Sequence, residues 1–162
     1  MASLEDSAIV LSLLCRVRER LCSLPLEHVV ETMRPLPVQP LAGAPPFVRG
    51  VSIVRGAAVP VVDLGVVLGT DDPPRPTRFV TIRTGRTGST GEGKVALSVE
   101  AVLGVRELAL ASLRDLPRLL SETAANVVYA IGNLDTDLLF ALQTMHVVPD
   151  SVWQNLRNQG IE

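Results

Sequence analysis

The sequence predicts an all-β chain built as two small β-barrels side by side. Three observations carry that prediction. Val and Leu dominate the apolar content, and they come in short runs broken by turn residues. Leu24-Pro25-Leu26-Glu27-His28-Val29 is echoed by Leu97-Ser98-Val99-Glu100-Ala101-Val102, an offset of 73. The hairpin pattern of 51–62 returns over 128–142, so a four- to five-strand unit occurs twice in one order.

Element by element, the reading begins with IVLSLLCRV (9–17) and RLCSLPL (20–26), two apolar runs flanking Arg18-Glu19. A turn centred there sets Cys15 opposite Cys22 and Leu13 opposite Leu24 on one side of a hairpin. LEHVVETMR (26–34) spaces Leu26, Val29, Val30 and Met33 as a helix would, which predicts a short helix. Pro35, Pro37, Pro40, Pro45 and Pro46 then impose an extended, irregular connection. Over 50–69, Val51, Ile53 and Arg55 alternate with Ser52 and Val54. Gly56 supplies a turn, and Val59 to Val62 return, with Pro60 marking an edge or a bulge. DDPPRP (71–76) breaks the chain. The second half opens with the strand RFVTIRT (78–84), the loop GRTGSTGEG (85–93) and the strand KVALSVEAV (94–102). A helical stretch near 108–121 follows, then the strands NVVYAIGNL and DLLFALQ, and a helix near 149–157 with the only Trp, Trp153. The organisation expected is one paired-lobe region over 8–148, with halves near 8–75 and 76–148, then a C-terminal helix and tail over 149–162.

Composition narrows the function. With 162 residues the chain is long enough to bury a real core, and 47% hydrophobic against 20% charged residues excludes general disorder. No apolar run approaches the ~18 residues of a membrane span. MASLEDSAIV has acids and no basic region before its apolar stretch, which predicts no signal peptide and a cytoplasmic chain. Fifteen basic and 17 acidic residues give a net charge of -2, and only five residues are aromatic. Neither the basic excess nor the stacking platforms of nucleic-acid binding are present.

The chemical motifs favour plain readings. Gly88-Ser-Thr-Gly-Glu-Gly93-Lys94 matches GxxxxGK, but a phosphate loop needs a following helix and a Ser or Thr after the Lys. Val95 stands there, at the start of an alternating strand, so a hairpin tip is expected. His28 lies beside Glu27 and Glu31 as a solvated surface residue would, and His146 has no evident partner. Cys15 and Cys22 have no metal spacing and read as small core hydrophobes, buried, close and reduced. Asp71-Asp72, Asp135 and Asp137 are turn formers. No enzyme, cofactor or metal is implied.

Three segments carry a family resemblance: 15–34 (CRVRERLCSLPLEHVVETMR), 44–69 (APPFVRGVSIVRGAAVPVVDLGVVLG) and 95–105 (VALSVEAVLGV). They resemble the CheW-type chemotaxis coupling domain in order and spacing over about 8–148. The most specific piece runs from Pro46-Phe47-Val48-Arg49-Gly50-Val51 through Val54-Arg55-Gly56 to Val59-Pro60-Val61-Val62-Asp63-Leu64. The resemblance implies two five-stranded SH3-like barrels packed together. It also implies a non-catalytic adaptor bridging a CheA-type histidine kinase, through its regulatory domain, to the cytoplasmic tip of chemoreceptors. Ile53 replaces the family's Asn, Glu100 its Asp, and Ala141-Leu142-Gln143 its Leu-Asp-Leu. The alternative is therefore a divergent regulatory domain that binds a response regulator or a peptide in a non-flagellar pathway.

The same resemblance nominates partner-binding residues. Arg55 comes first, because a guanidinium fork suits bidentate carboxylate contacts at an interface. A local pair with Asp63 or another acid is its other reading. Val29, Glu31 and Gly50 match family contact positions, and Gly50 has backbone reasons of its own for being glycine.

Overall fold

The alternating runs at the start of the chain pair as their spacing dictates. In the computed structural model, which describes residues 8–69, 77–88, 91–115, 127–144 and 147–158, β1 (Ile9–Val17) and β2 (Arg20–Pro25) form an antiparallel hairpin. Cys15 stands opposite Cys22 and Leu13 opposite Leu24, the register expected.

The helix expected over 26–34 is not formed. Leu26–His28 make a single 3-10 turn, and β3 (Val29–Met33) pairs antiparallel with the strand β6 (Arg78–Gly88). Between Pro25 and Pro35 there is room for only two turns of helix, which is marginal in water. Val29, Val30 and Thr32 are β-branched and gain more from a strand partner. The Pro-rich connection is irregular, as expected, and meets the sheet at Val51 and Ser52: Gln39 and Val51 exchange two backbone hydrogen bonds of 2.8 Å, and the Ser52 hydroxyl donates to the Pro37 carbonyl.

β4 (Val48–Val54) and β5 (Ala57–Asp63) form the next hairpin. Pro60 lies where β5 is paired on one side only, the local edge that a proline tolerates. β5 lies between β4 and β7 (Gly91–Val99), and its parallel pairing with β7 starts at Val61, just past the proline's missing donor. A short helix α1 (Leu64–Val67) follows, capped by the Asp63 carboxylate. β6 and β7 pair through Gly88 and Gly91, so the GxxxxGK segment opens into a strand and not a helix. The strand expected over 94–102 breaks at Glu100, where β8 (Ala101–Ala109) begins. After it come a 3-10 turn (Leu110–Ser112) and the two-residue β9 (Arg114–Asp115) in place of the described part of the expected 108–121 helix. β10 (Val128–Leu134), β11 (Asp137–Leu142) and α2 (Asp150–Asn158) complete the elements of the described residues. DDPPRP and His146 lie outside the described residues.

Two sheets result. A central sheet has the order β3-β6-β7-β5-β4, and a terminal sheet, made from the two ends of the chain, has the order β8-β1-β2-β11-β10-β9. The lobes therefore do not coincide with 8–75 and 76–148. Each half gives its opening hairpin to one sheet and its later strands to the other. The parallel pairs β2–β11 and β5–β7 are the joints of this exchange. The repeated segments 24–29 and 97–102 are the two places where the chain changes sheet.

Alternation sorts the apolar residues into three layers. Leu13, Cys15, Val17, Cys22 and Leu24 from the terminal sheet meet Val62, Val80, Ile82, Val95 and Leu97 from the central sheet in one shared seam. The opposite face of the central sheet encloses Val54, Val59, Val61, Phe79 and Ala96, and that of the terminal sheet Leu14, Leu21, Leu108 and Leu139. Burying each large side chain in the seam contributes roughly 1.5–3 kcal/mol, so the seam is the main bond between the sheets.

Candidate functional site

At the tip of the β4–β5 hairpin, Arg55 and Gly56 have φ of 49° and 82°. Positive φ at both central residues is the two-residue turn whose twist matches the strands. Arg55 is thereby lifted into solvent, yet its guanidinium is engaged: Nε and Nη2 donate to Oε1 and Oε2 of Glu31, both at 2.7 Å. The local acid is Glu31 on β3, not Asp63. The bidentate bonds hold the Glu31 carboxyl below its ordinary value and the Arg55 guanidinium above its own. Two of the nominated residues thus form one exposed charged unit. Ile53, on β4 two residues before Arg55, is 64% exposed.

Val29 is half-buried against the seam core at the start of β3, on the same strand as Glu31. Gly50 does not belong to an accessible surface. It is buried at φ 145°, and a Cβ there would sit 2.0 Å from the Gln39 carbonyl oxygen. It is glycine because the Pro-rich connection crosses over it.

Sequence reasoning missed two features. One is an ionic cluster. Both Nε and Nη2 of Arg49 donate to Asp63 Oδ2, at 3.1 and 2.7 Å. Asp63 Oδ1 accepts from the Gly65 and Val66 amides and lies 4.0 Å from Arg18 Nη2. Arg18 Nη1 in turn donates to Glu100 at 2.9 Å. The signal was available: an Asp before Leu-Gly-Val-Val is a capping pattern.

The other is an apolar face. Val105 stands across from Leu13, whereas Leu103 is the extra residue of a bulge between Val102 and Gly104. With Ile9 and Leu11, on the same side of β1 as Leu13, Val105 continues the seam out into solvent, and Leu103 is exposed at the bulge beside it; these four residues are 49–60% exposed. The alternation of IVLSLL shows this face in the sequence but not that its outer end stays uncovered. Val102 and Val29 pack half-buried against the seam core. His28 is more than a solvated residue: its Nδ1 is 2.8 Å from the hydroxyl of buried Thr144, beyond the end of β11. Among the described residues no group of three or more His, Cys, Asp or Glu could hold a metal ion, and no helix is long and apolar enough to cross a membrane.

The model of the CheW-like domain family matches residues 12–151. The chain belongs to the CheW-like domain family. That family supplies adaptors for chemotaxis-type signalling. This CheW-like chain is 36% identical over 125 residues to Protein FrzA of Myxococcus xanthus, covering 73% of each. Its fold is also that of the scaffolding protein TtCheW from Thermoanaerobacter tengcongensis, with TM-score 0.71, 19% identity, and coverage of 86% of this chain and 92% of that one.

Proposed function

We propose that this chain is a non-catalytic adaptor that couples chemoreceptors, methyl-accepting chemotaxis proteins, to a CheA-type histidine kinase. The observation that carries the reading is the continuation of the seam core into an uncovered face of Ile9, Leu11, Leu103 and Val105. Such a face suits the apolar stripe of a helix from a receptor's cytoplasmic tip. Covering the exposed half of each side chain would contribute roughly 1 kcal/mol apiece, a useful offset to the cost of association. The Arg55–Glu31 unit, with Val29 beside it, adds a charged contact that selects and orients the partner, while Gly50 only shapes the strand behind it.

The test is binding of purified full chain to a receptor-tip helical hairpin and to the regulatory domain of the kinase from the same organism. Leu11→Asp and Val105→Asp should each weaken receptor binding roughly 30-fold or more, as loss of a central apolar contact does. Arg55→Ala should unfold at the temperature of the intact chain yet lose receptor or kinase coupling. A fall of several degrees in its thermal midpoint assigns the residue a structural role instead. No retained kinase at micromolar concentration counts against the coupling role. A second reading follows from Ile53, exposed where the family carries Asn: a response regulator or peptide with an apolar contact residue takes the receptor's place. Retention of such a partner without any receptor binding supports it.

A further inference from the structure

We propose that Arg18 is a positioning residue for the docking face, fixing through Glu100 where β8 begins and tying that point through Asp63 to the central sheet. The inference rests on the docking reading above and concerns what holds that face in shape. Arg18 sits in the β1–β2 turn at φ 57°, a backbone state that an L-residue adopts only when its surroundings require it. Its side chain turns inward and is 9% exposed. One end of the guanidinium meets Glu100 at 2.9 Å, and the other lies 4.0 Å from Asp63.

Glu100 is the single residue between β7 and β8, where the chain leaves the central sheet for the terminal one. Its amide donates to the Arg16 carbonyl at 2.9 Å, and its carbonyl accepts from the Thr77 hydroxyl. Two residues later Val102 reaches the seam. Leu103 then bulges, and Gly104 takes φ 116° so that Val105 falls opposite Leu13. The aim of Leu103 and Val105 therefore depends on a bulge that starts just beyond Glu100. Asp63 is a firm anchor for the other end, because Arg49 and the first amides of α1 hold its carboxylate. A planar fork holds two acids on different elements in fixed, separate directions; the compact ammonium of a lysine offers no such fixed fork.

The experiment compares the full chain with Arg18→Met, Arg18→Lys and Glu100→Gln. The probe is a labelled helical hairpin from the cytoplasmic tip of a chemoreceptor of the same organism, read by fluorescence anisotropy. Hydrogen exchange of the 101–105 amides and a urea midpoint accompany each binding curve. Exchange over 101–105 should speed up on the order of tenfold in Arg18→Met and Glu100→Gln, with β10 and β11 unchanged. Probe binding should weaken by a similar factor, on the order of tenfold, at full occupancy of the folded state. Arg18→Lys should keep the Glu100 contact and recover part of both. Unchanged exchange and binding in Glu100→Gln would overturn the proposal. So would a loss of binding that only follows the fraction unfolded. If the intact chain and Leu11→Asp bind the probe equally, the docking reading fails, and the exchange result still decides whether Arg18 positions β8.

Discussion

Cys15 and Cys22 show how far a single residue's chemistry follows from its place in a strand. They oppose each other in the seam, both fully buried and both free thiols. Desolvation pushes the Cys15 thiol up to about 12 and raises Cys22 as well, with the neighbouring Cys15 adding to the effect. A thiol harder to ionise folded than unfolded favours the native state only while it stays protonated. Stability should therefore be flat below pH about 9 and fall as the pH rises from there toward 12. Urea midpoints measured across that range check the sign, and a Cys15→Ala/Cys22→Ala chain should show a shallower fall. Native protein should react slowly with a thiol reagent, and both thiols should become available in urea. This pair was legible in the sequence because two short runs around a two-residue turn admit one register. Arg55 was legible only in part. Its exposure follows from the turn, but the acid that meets it lies on a strand 24 residues earlier, and the sequence assigned that segment to a helix.

At the scale of elements, spacing misled where it was short. Leu26, Val29, Val30 and Met33 fit a helix and a strand equally well over so few positions, and only the presence of β6 decides between them. Hairpins were readable, since both strands and the turn lie side by side in the chain. The parallel joints β2–β11 and β5–β7 were not, because nothing local to either strand identifies its distant neighbour. The uncovered face of β1 and β8 was hidden for the same reason. Gly50 tests how firmly one such crossing is built. In Gly50→Ala the new Cβ meets the Gln39 carbonyl oxygen at 2.0 Å, and φ 145° is already strained for alanine. The cost should be about 3 kcal/mol or more, a fall in thermal midpoint of roughly 6–12 °C for a chain of this size. Calorimetry on the variant measures it, and Gly56→Ala, whose Cβ would meet nothing within 4 Å, serves as the comparison for backbone strain alone.

For the whole molecule, the repeat seen in the sequence is real as an order of strands but not as a pair of lobes. Each half surrenders a hairpin to the other's sheet, so a fragment of residues 8–75 holds β1 and β2 without β11, and β5 without β7. Neither 8–75 nor 76–162 should fold alone; each should give the circular dichroism and amide dispersion of an unfolded chain. Mixed together, the fragments should regain strand signal and bind at a stoichiometry of one to one. An independently folded half would show that the exchange is not what holds the sheets together.

The pairing of β2 with β11 also sets a timetable. All five strands of the central sheet have been made once Val99 is joined to the chain, whereas β11 ends at Leu142. At 5–20 residues per second the ribosome needs roughly 2–9 s for that interval. The middle of the protein can therefore acquire its structure while its beginning, the β1–β2 hairpin, waits for a neighbour not yet synthesised. During the wait Leu21, Cys22 and the rest of β2 present an open strand edge, so the newborn chain is most exposed to wrong pairing at its oldest end.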